Sequence, residues 1–318
     1  MGLRIIGTGT ALPKKSVSND DLSRFLDTDD EWIAGKTGIK NRFICTDEGL
    51  TDLAETAGCA ALKSAGIKPG DIDLVICSTI AGDYTTPSLA CCVAGRLMAN
   101  CPAFDINAAC SGFIYALDMA SAYIDSGRAK TILIISADMV SRILDWTDRG
   151  SCVLFGDGAG ACVVSGGNAL RYIKLTANGD VTRICKKAEI KGNPFAQCSG
   201  RDEYLHMDGQ EVFRFAVQAV ERDVALALDT LGICEGEVDF FLLHQANKRI
   251  IDSARARLGQ PESKFPINID RYGNCGSASI PILLHEMLED GKVKAGNTLL
   301  MAAFGAGMAT GTCVMQWE

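Results

Sequence analysis

Three short segments each carry one residue able to serve acyl-transfer chemistry: DINAACSGF at 105–113, LLHQANKRI at 242–250 and YGNCGSASIP at 272–281. They supply a thiol at Cys110, an imidazole at His244 and a carboxamide at Asn274. Singly, each has a plainer reading. With 14 cysteines in the chain, one taken blind is a small buried hydrophobe. His244 follows the apolar run Phe240 to Leu243 and reads alone as a strand-end or core histidine. Asn274, between Gly273 and Gly276, reads alone as a turn residue that tolerates left-handed backbone. Together they form a set that can hold an acyl group as a thioester and stabilise an oxyanion. Cys110 follows an apolar extended approach and opens a helical run of Phe113, Ile114, Leu117, Met119, Ala120 and Tyr123. Free amides and the helix dipole act on a sulfur at such an N-terminus, so the sequence predicts a lowered thiol pKa.

The elements that must position these residues repeat along the chain. ALKSAGIKPGDIDLVI at 61–76 aligns with ALDTLGICEGEVDFFL 166 residues further on, placing Gly66 on Gly232 and Asp73 on Asp239. Each copy reads as helix, tight turn and buried strand. The same shift carries Ser111 to Ser277, Ile114 to Ile280 and Leu117 to Leu283, so the helix behind Cys110 has a counterpart behind Gly276. Short apolar strands at Leu74 to Cys77, Ile132 to Ile135 and Leu299 to Ala302 alternate with helical runs, which predicts an α/β fold with buried sheets. The halves divide as 1–166, with the cysteine, and 167–318, with the histidine and asparagine. Each closes with a glycine-rich turn, LFGDGAGACVV at 154–164 and AAFGAGMATGTCVM at 302–315. Neither has the lysine of a Walker loop or the following helix of a dinucleotide fingerprint. We read both as tight turns that bring backbone close to the site.

Composition excludes more than it names. The 318 residues, 47% hydrophobic and 22% charged, can bury a large core. Fourteen cysteines with no CxxC pair and no secretory signal point to free thiols in a cytoplasmic, reducing compartment, without structural metal. No apolar run approaches the roughly 18 residues that span a bilayer, which argues against a membrane protein. A net charge of −8 disfavours a general affinity for nucleic acid.

With these motifs in order, the chain resembles the β-ketoacyl-[acyl-carrier-protein] synthase III family of the thiolase superfamily. The likeness runs from IIGTGTALPKKSVSN through DDEWIAGKTGI, NAACSGF, HQAN and YGN to FGAGMATG. It implies a duplicated αβαβα five-layer fold with two pseudo-symmetric halves, usually in a homodimer. The implied reaction joins an acyl-CoA primer to malonyl-[acyl-carrier protein] through acyl-Cys110. His244 and Asn274 then stabilise the decarboxylation enolate, and the backbone amides of Cys110 and Ala306 form an oxyanion hole. No cofactor is implied.

The resemblance also assigns substrate contacts. Trp32 and Arg149 match positions that sandwich the CoA adenine, although a lone tryptophan is otherwise a core residue. Thr28 and Asn247 are further CoA-binding matches, and Lys36 stands where relatives often carry arginine, losing a bidentate fork. Arg249, Lys248, Arg255 and Arg257, with Arg214 added, read as a docking patch for an acidic carrier protein in preference to a solvated helix face. Thr86 matches the residue that a second copy contributes to the end of the primer pocket, where many relatives have phenylalanine. Cys275 and Gly276 replace a common Thr-Ser pair and change what holds Asn274. Rival readings are a thiolase or hydroxymethylglutaryl-CoA synthase, a quinolone- or polyketide-type starter enzyme, and a catalytically silent acyl-carrier-binding subunit. A thiolase needs a second cysteine, which neither Cys275 nor Cys313 supplies in the expected setting. A silent subunit is expected to have lost one of the three residues, and all are present.

Overall fold

The computed structural model describes residues 2–188, 194–195 and 204–318. In the first half the order is β1 (Leu3–Ala11), β2 (Lys15–Ser18), α1 (Asn19–Leu22), α2 (Asp30–Thr37), β3 (Asn41–Ile44), α3 (Leu50–Ala65), β4 (Leu74–Ser78), α4 (Leu89–Leu97), β5 (Ala103–Ile106), α5 (Gly112–Asp125), β6 (Thr131–Asp138) and β7 (Gly158–Gly166). The second half continues with β8 (Leu170–Thr176), β9 (Ile184–Cys185), β10 (His206–Met207), α6 (Gly209–Leu231), β11 (Phe240–Leu243), α7 (Lys248–Leu258), α8 (Ile269–Tyr272), α9 (Ser279–Glu289), β12 (Thr298–Gly305) and β13 (Ala309–Gln316). The strands expected from the three apolar runs fall within β4, β6 and β12.

Two mixed sheets carry the fold, one in the order β1-β7-β6-β4-β5 and the other β11-β12-β13-β8. In each, the strand that follows the repeated helix and turn pairs in parallel with the next long strand: β4 with β6, and β11 with β12. All five residues of β4 are buried, as a strand covered on both faces requires. Side chains of α5 and α9, among them Phe113, Leu117, Leu283 and Leu284, share one core with Leu74, Ile76, Leu299 and Met301 from the two sheets. Residues of α3 and α4 cover the outer face of the first sheet, and those of α6 and α7 the outer face of the second. The result is five layers, α–β–α–β–α. The division drawn at 166/167 falls in the turn between β7 and β8, and the halves meet in a common central core.

The duplication holds at 166 residues through the caps of α3 and α6, where Gly66 and Gly232 take φ of +68° and +66°. Beyond β4 and β11 the register expected from sequence is corrected by one residue. The 3-10 turn Ala109–Ser111 before α5 recurs as Gly276–Ala278 before α9, and β6 recurs as β12. The structural counterpart of Ser277 is therefore Cys110, not Ser111. The second half carries one extra residue between its first parallel strand and its turn, which alignment on the small, interchangeable residues of these turns does not reveal.

Candidate active site

Cys110 lies in the 3-10 turn two residues before α5, behind Ala109, which takes φ +47°. Close packing fixes the turn from three sides. A Cβ on Gly305 would lie 2.7 Å from the Cys110 nitrogen, a Cβ on Gly112 would lie 1.8 Å from Ser78 Oγ, and Ser111 Oγ donates to the Ala309 carbonyl at 3.1 Å. The expectation of a lowered thiol pKa is overturned. Loss of solvent, followed by the nearby Asp138 carboxylate, pushes the Cys110 thiol up to about 12 against a weaker opposing pull from a backbone amide. Desolvation exceeds the helix-end effect because the surrounding protein strips most of the water from the sulfur.

His244 follows β11 and is buried at 1% exposure. Its Nδ1 is 2.7 Å from Ser279 Oγ at the start of α9, and the ring meets Phe304 edge-on at 5.3 Å between centroids. Burial pushes its pKa down to about 3, so the imidazole is neutral at physiological pH. Asn274 is buried and held at both backbone groups: its N–H donates to the Leu154 carbonyl at 2.9 Å, and its carbonyl accepts from Gly156 N–H at 3.1 Å. Gly156 permits this approach, because a Cβ there would lie 2.3 Å from the Tyr272 carbonyl. The Asn274 Oδ1 accepts from Gly276 N–H at 3.0 Å, which leaves Nδ2 without a protein partner among the described residues.

Cys110, His244 and Asn274 line one cavity of about 1030 Å³. Its exposed lining includes Lys36, Arg149, Arg214 and Arg249 beside Asp148 and Asp208, so it runs from a net-cationic mouth to the buried imidazole and amide. Cys110 also opens on a second cavity of about 280 Å³, lined by Ile80, Val140, Ile143, Phe155 and Leu205, with Ala306 on its wall. Cys275 and Cys313 are buried and line neither cavity. Every described cysteine is a free thiol, and no cluster of three or more His, Cys, Asp or Glu able to hold a metal occurs among the described residues.

The other expected residues separate into groups. Arg149 packs over the Trp32 ring at 5.2 Å from its centroid and donates to the Asp27 carbonyl. Thr28 does not line the cavity, and its Oγ1 is buried without a hydrogen-bond partner. Asn247 lines the cavity while capping α7 through its Oδ1, and its Nδ2 donates to the Lys36 carbonyl at 3.2 Å. The basic stretch does not present a single face. Arg249 stacks on Phe213 at 5.4 Å and, with Arg214, lines the cavity. Lys248 pairs with Asp252 at 2.7 Å, Arg257 pairs with Glu221, and Arg255 Nε is buried without a partner; none of the three lines the cavity. Arg214 pairs with Glu211 one turn before it. Thr86 is exposed and lines neither cavity of its own chain. Sequence reasoning did not single out Ser279 and Phe304, which touch His244, or Asp138 and Ser277, which bond to each other beside the Asn274 loop; Gly305 it placed in a turn near the site without its contact on Cys110.

Fold and site together define a thiolase-like condensing enzyme. Residues 104–179 match the family model for 3-oxoacyl-[acyl-carrier-protein] synthase III, and residues 228–317 match its C-terminal counterpart. The chain is 42% identical over 321 residues to the β-ketoacyl-[acyl-carrier-protein] synthase III of Clostridium acetobutylicum, covering 99% of this chain and 98% of that one. It is 43% identical over 320 residues to the synthase of the same name from Aquifex aeolicus, with 100% of each covered. The crystal structure of 3-oxoacyl-[acyl-carrier-protein] synthase III from Aquifex aeolicus superposes with a TM-score of 0.92 at 41% identity, covering 99% of this chain and 100% of that chain. The priming β-ketosynthase of the R1128 polyketide pathway also superposes at 0.92, with 33% identity, covering 100% of this chain and 96% of that chain. The chain belongs to the β-ketoacyl-[acyl-carrier-protein] synthase III family.

Proposed function

We propose that this protein condenses an acyl-CoA primer with malonyl-[acyl-carrier protein], releasing CO2 and CoA and giving the 3-oxoacyl-[acyl-carrier protein] that begins type II fatty-acid synthesis. One observation carries the reading: Cys110 stands where a cationic, solvent-reaching cavity holding His244 and Asn274 meets a smaller apolar one. The first suits a phosphorylated carrier arm, the second a primer tail.

In the first half-reaction the Cys110 sulfur bonds to the primer carbonyl carbon, the bond to the CoA sulfur breaks, and the proton from Cys110 ends on the departing CoA thiol. The Cys110 and Ala306 amides face the oxyanion that forms. In the second, the malonyl C–C bond breaks to release CO2, and its electron pair becomes an enolate on the carrier thioester. Neutral His244 serves that oxygen as a donor. Gln245 N–H points at Ser279 Oγ at 3.4 Å, which frees the Ser279 hydroxyl proton for Nδ1 and leaves the ring proton on Nε2. Asn274 Nδ2 is the second donor, and each such donor is worth about 3–4 kcal/mol. The enolate carbon then attacks the acyl-Cys110 carbonyl, the bond to the Cys110 sulfur breaks, and the departing thiolate takes up a proton from solvent to restore the thiol. None of these steps calls on a metal, flavin or nicotinamide.

In this reading the enzyme works in the cytoplasm as a homodimer, and the exposed Thr86 closes the primer cavity of a second copy. Threonine leaves more room than phenylalanine, so branched or medium-length primers are accepted beside acetyl-CoA. Thr28, Trp32, Lys36, Arg149 and Asn247 are the CoA contacts, and Arg249 with Arg214 leads carrier docking. Intact-mass spectrometry after mixing with acyl-CoAs of increasing length tests this, with Thr86→Phe run alongside. An acyl adduct mapped to Cys110, converted to 3-oxoacyl product by malonyl-carrier protein, is the expected result. Acylation elsewhere, with Cys110 free, would overturn it.

A further inference from the structure

Asp138 ends β6 at 1% exposure and shares the smaller cavity's wall with Cys110. Its Oδ1 accepts from Ile80 N–H at 3.0 Å, and its Oδ2 accepts both the N–H and the hydroxyl of Ser277 at 2.7 Å each. Three donors converging on two oxygens suit a carboxylate, because a protonated acid would turn a hydrogen toward one of them.

The Ser277 end of this contact belongs to the Asn274 loop. Gly276, between them, takes φ +57°, and a Cβ there would lie 2.4 Å from Asp138 Oδ2. The carboxylate thus fills the space of a side chain at 276 and grips the next residue. Gly276 N–H in turn holds Asn274 Oδ1, which decides which end of the carboxamide faces the cavity. Were the loop to relax, the amide could rotate and present its oxygen to a developing enolate, turning a stabilising contact into a repulsive one.

We propose that Asp138 is a positioning residue for decarboxylation: by holding Ser277 it sets the Gly276 N–H that keeps the Asn274 amide donor aimed at the thioester oxygen. This rests on the role proposed above for Asn274. Asp138→Asn is close in shape but sets an NH2 group against either Ile80 N–H or the Ser277 donors.

The test is a double-mutant cycle on CO2 release from malonyl-carrier protein, with acyl transfer to Cys110 read by intact mass. Asp138→Asn is expected to slow CO2 release about tenfold in the wild-type background and less than about twofold in Asn274→Ala, because the two act through one contact. Acyl transfer should not fall, because removing the charge beside Cys110 eases ionisation of its thiol. Equal losses in both backgrounds overturn the inference and make Asp138 a general prop of the fold. Ser277→Ala, which keeps the carboxylate and the backbone bond, serves if Asp138→Asn does not fold: about a threefold loss confined to the background with Asn274 supports the inference, and no loss overturns it. Intact CO2 release in Asn274→Ala alone would instead remove the role assigned to Asn274, and the inference with it.

Discussion

The two halves build the same corner and use it for opposite ends. Before α5, Asn107 Oδ1 accepts from Ala109 N–H at 3.3 Å, Ala109 is left-handed, and Cys110 follows. Before α9, Asn274 Oδ1 accepts from Gly276 N–H at 3.0 Å, Gly276 is left-handed, and Ser277 follows. The strand end of the opposite half abuts each corner. At Ser277 it is Asp138, which takes the amide; at Cys110 it is the equivalent Gly305, which contributes no side chain. No side chain at 305 covers the Cys110 nitrogen, so in the proposed mechanism its N–H has room to meet an oxyanion. The strand-end pairs diverge likewise, Ser78 with Gly112 in one half and His244 with Ser279 in the other. Chemistry here comes from side chains placed on, or withheld from, one repeated backbone.

If that contrast governs the site, filling the gap at 305 should do the most damage. Gly305→Ala places a Cβ 2.7 Å from the Cys110 nitrogen, and we expect acylation of Cys110 to fall about a hundredfold or more while thermal unfolding still reports a folded protein. Unchanged acylation would mean that the Cys110 amide is not used. The other corner is probed by Asn274→Ala, with His244→Ala beside it. Each should lower CO2 release by about a hundredfold and leave acyl transfer largely intact. Parallel loss of both half-reactions would show that they position the thiol.

Burial first, and the acidic corner second, set the resting state of the nucleophile. With its thiol pushed up to about 12, Cys110 in the free enzyme is protonated at neutral pH, and its thiolate fraction climbs with each step in pH. Iodoacetamide alkylation of Cys110, followed by peptide mass spectrometry, should rise about tenfold per unit between pH 7 and 9 without a plateau. A plateau by pH 8 would restore the helix-end thiolate that the sequence alone predicts.

The three chemical residues, the alternation of strand and helix and the duplication were legible because each rests on local pattern: an apolar run, a capping glycine, a motif in order. The thiol's raised pKa was not, because desolvation depends on what closes over the sulfur, and Asp138 lies 28 residues away in sequence. Neither was the Asp138–Ser277 contact, which joins residues 139 apart through the meeting of the two halves. The basic residues of α7 separate for a helical reason. Along α7 its charges point in different directions, so Lys248 meets Asp252 on its own helix and Arg257 meets Glu221 on α6, while Arg249 reaches the cavity. Charge reversal makes that difference measurable at low salt. Arg249→Glu should raise the apparent KM for malonyl-carrier protein about tenfold and Arg257→Glu less than about twofold, with acylation by acyl-CoA little changed. Equal effects would restore a single docking face.

The smallest expected effect gives the most direct test of whether a corner makes a nucleophile or its surroundings do. Ser277→Cys in a Cys110→Ala background puts a thiol on the counterpart turn. A sulfur there would lie against Asp138 in place of the hydroxyl now 2.7 Å away, and its own N–H would already be bound to that carboxylate. The anion opposes ionisation of the thiol, and no free amide awaits the oxyanion. We therefore expect no acyl adduct at position 277 from any acyl-CoA by intact mass, although the turn, the left-handed residue before it and the helix after it all match those at Cys110. An adduct would mean that the repeated backbone suffices, and that Gly305 opposite Cys110 and Asp138 opposite Ser277 are incidental to the division of labour.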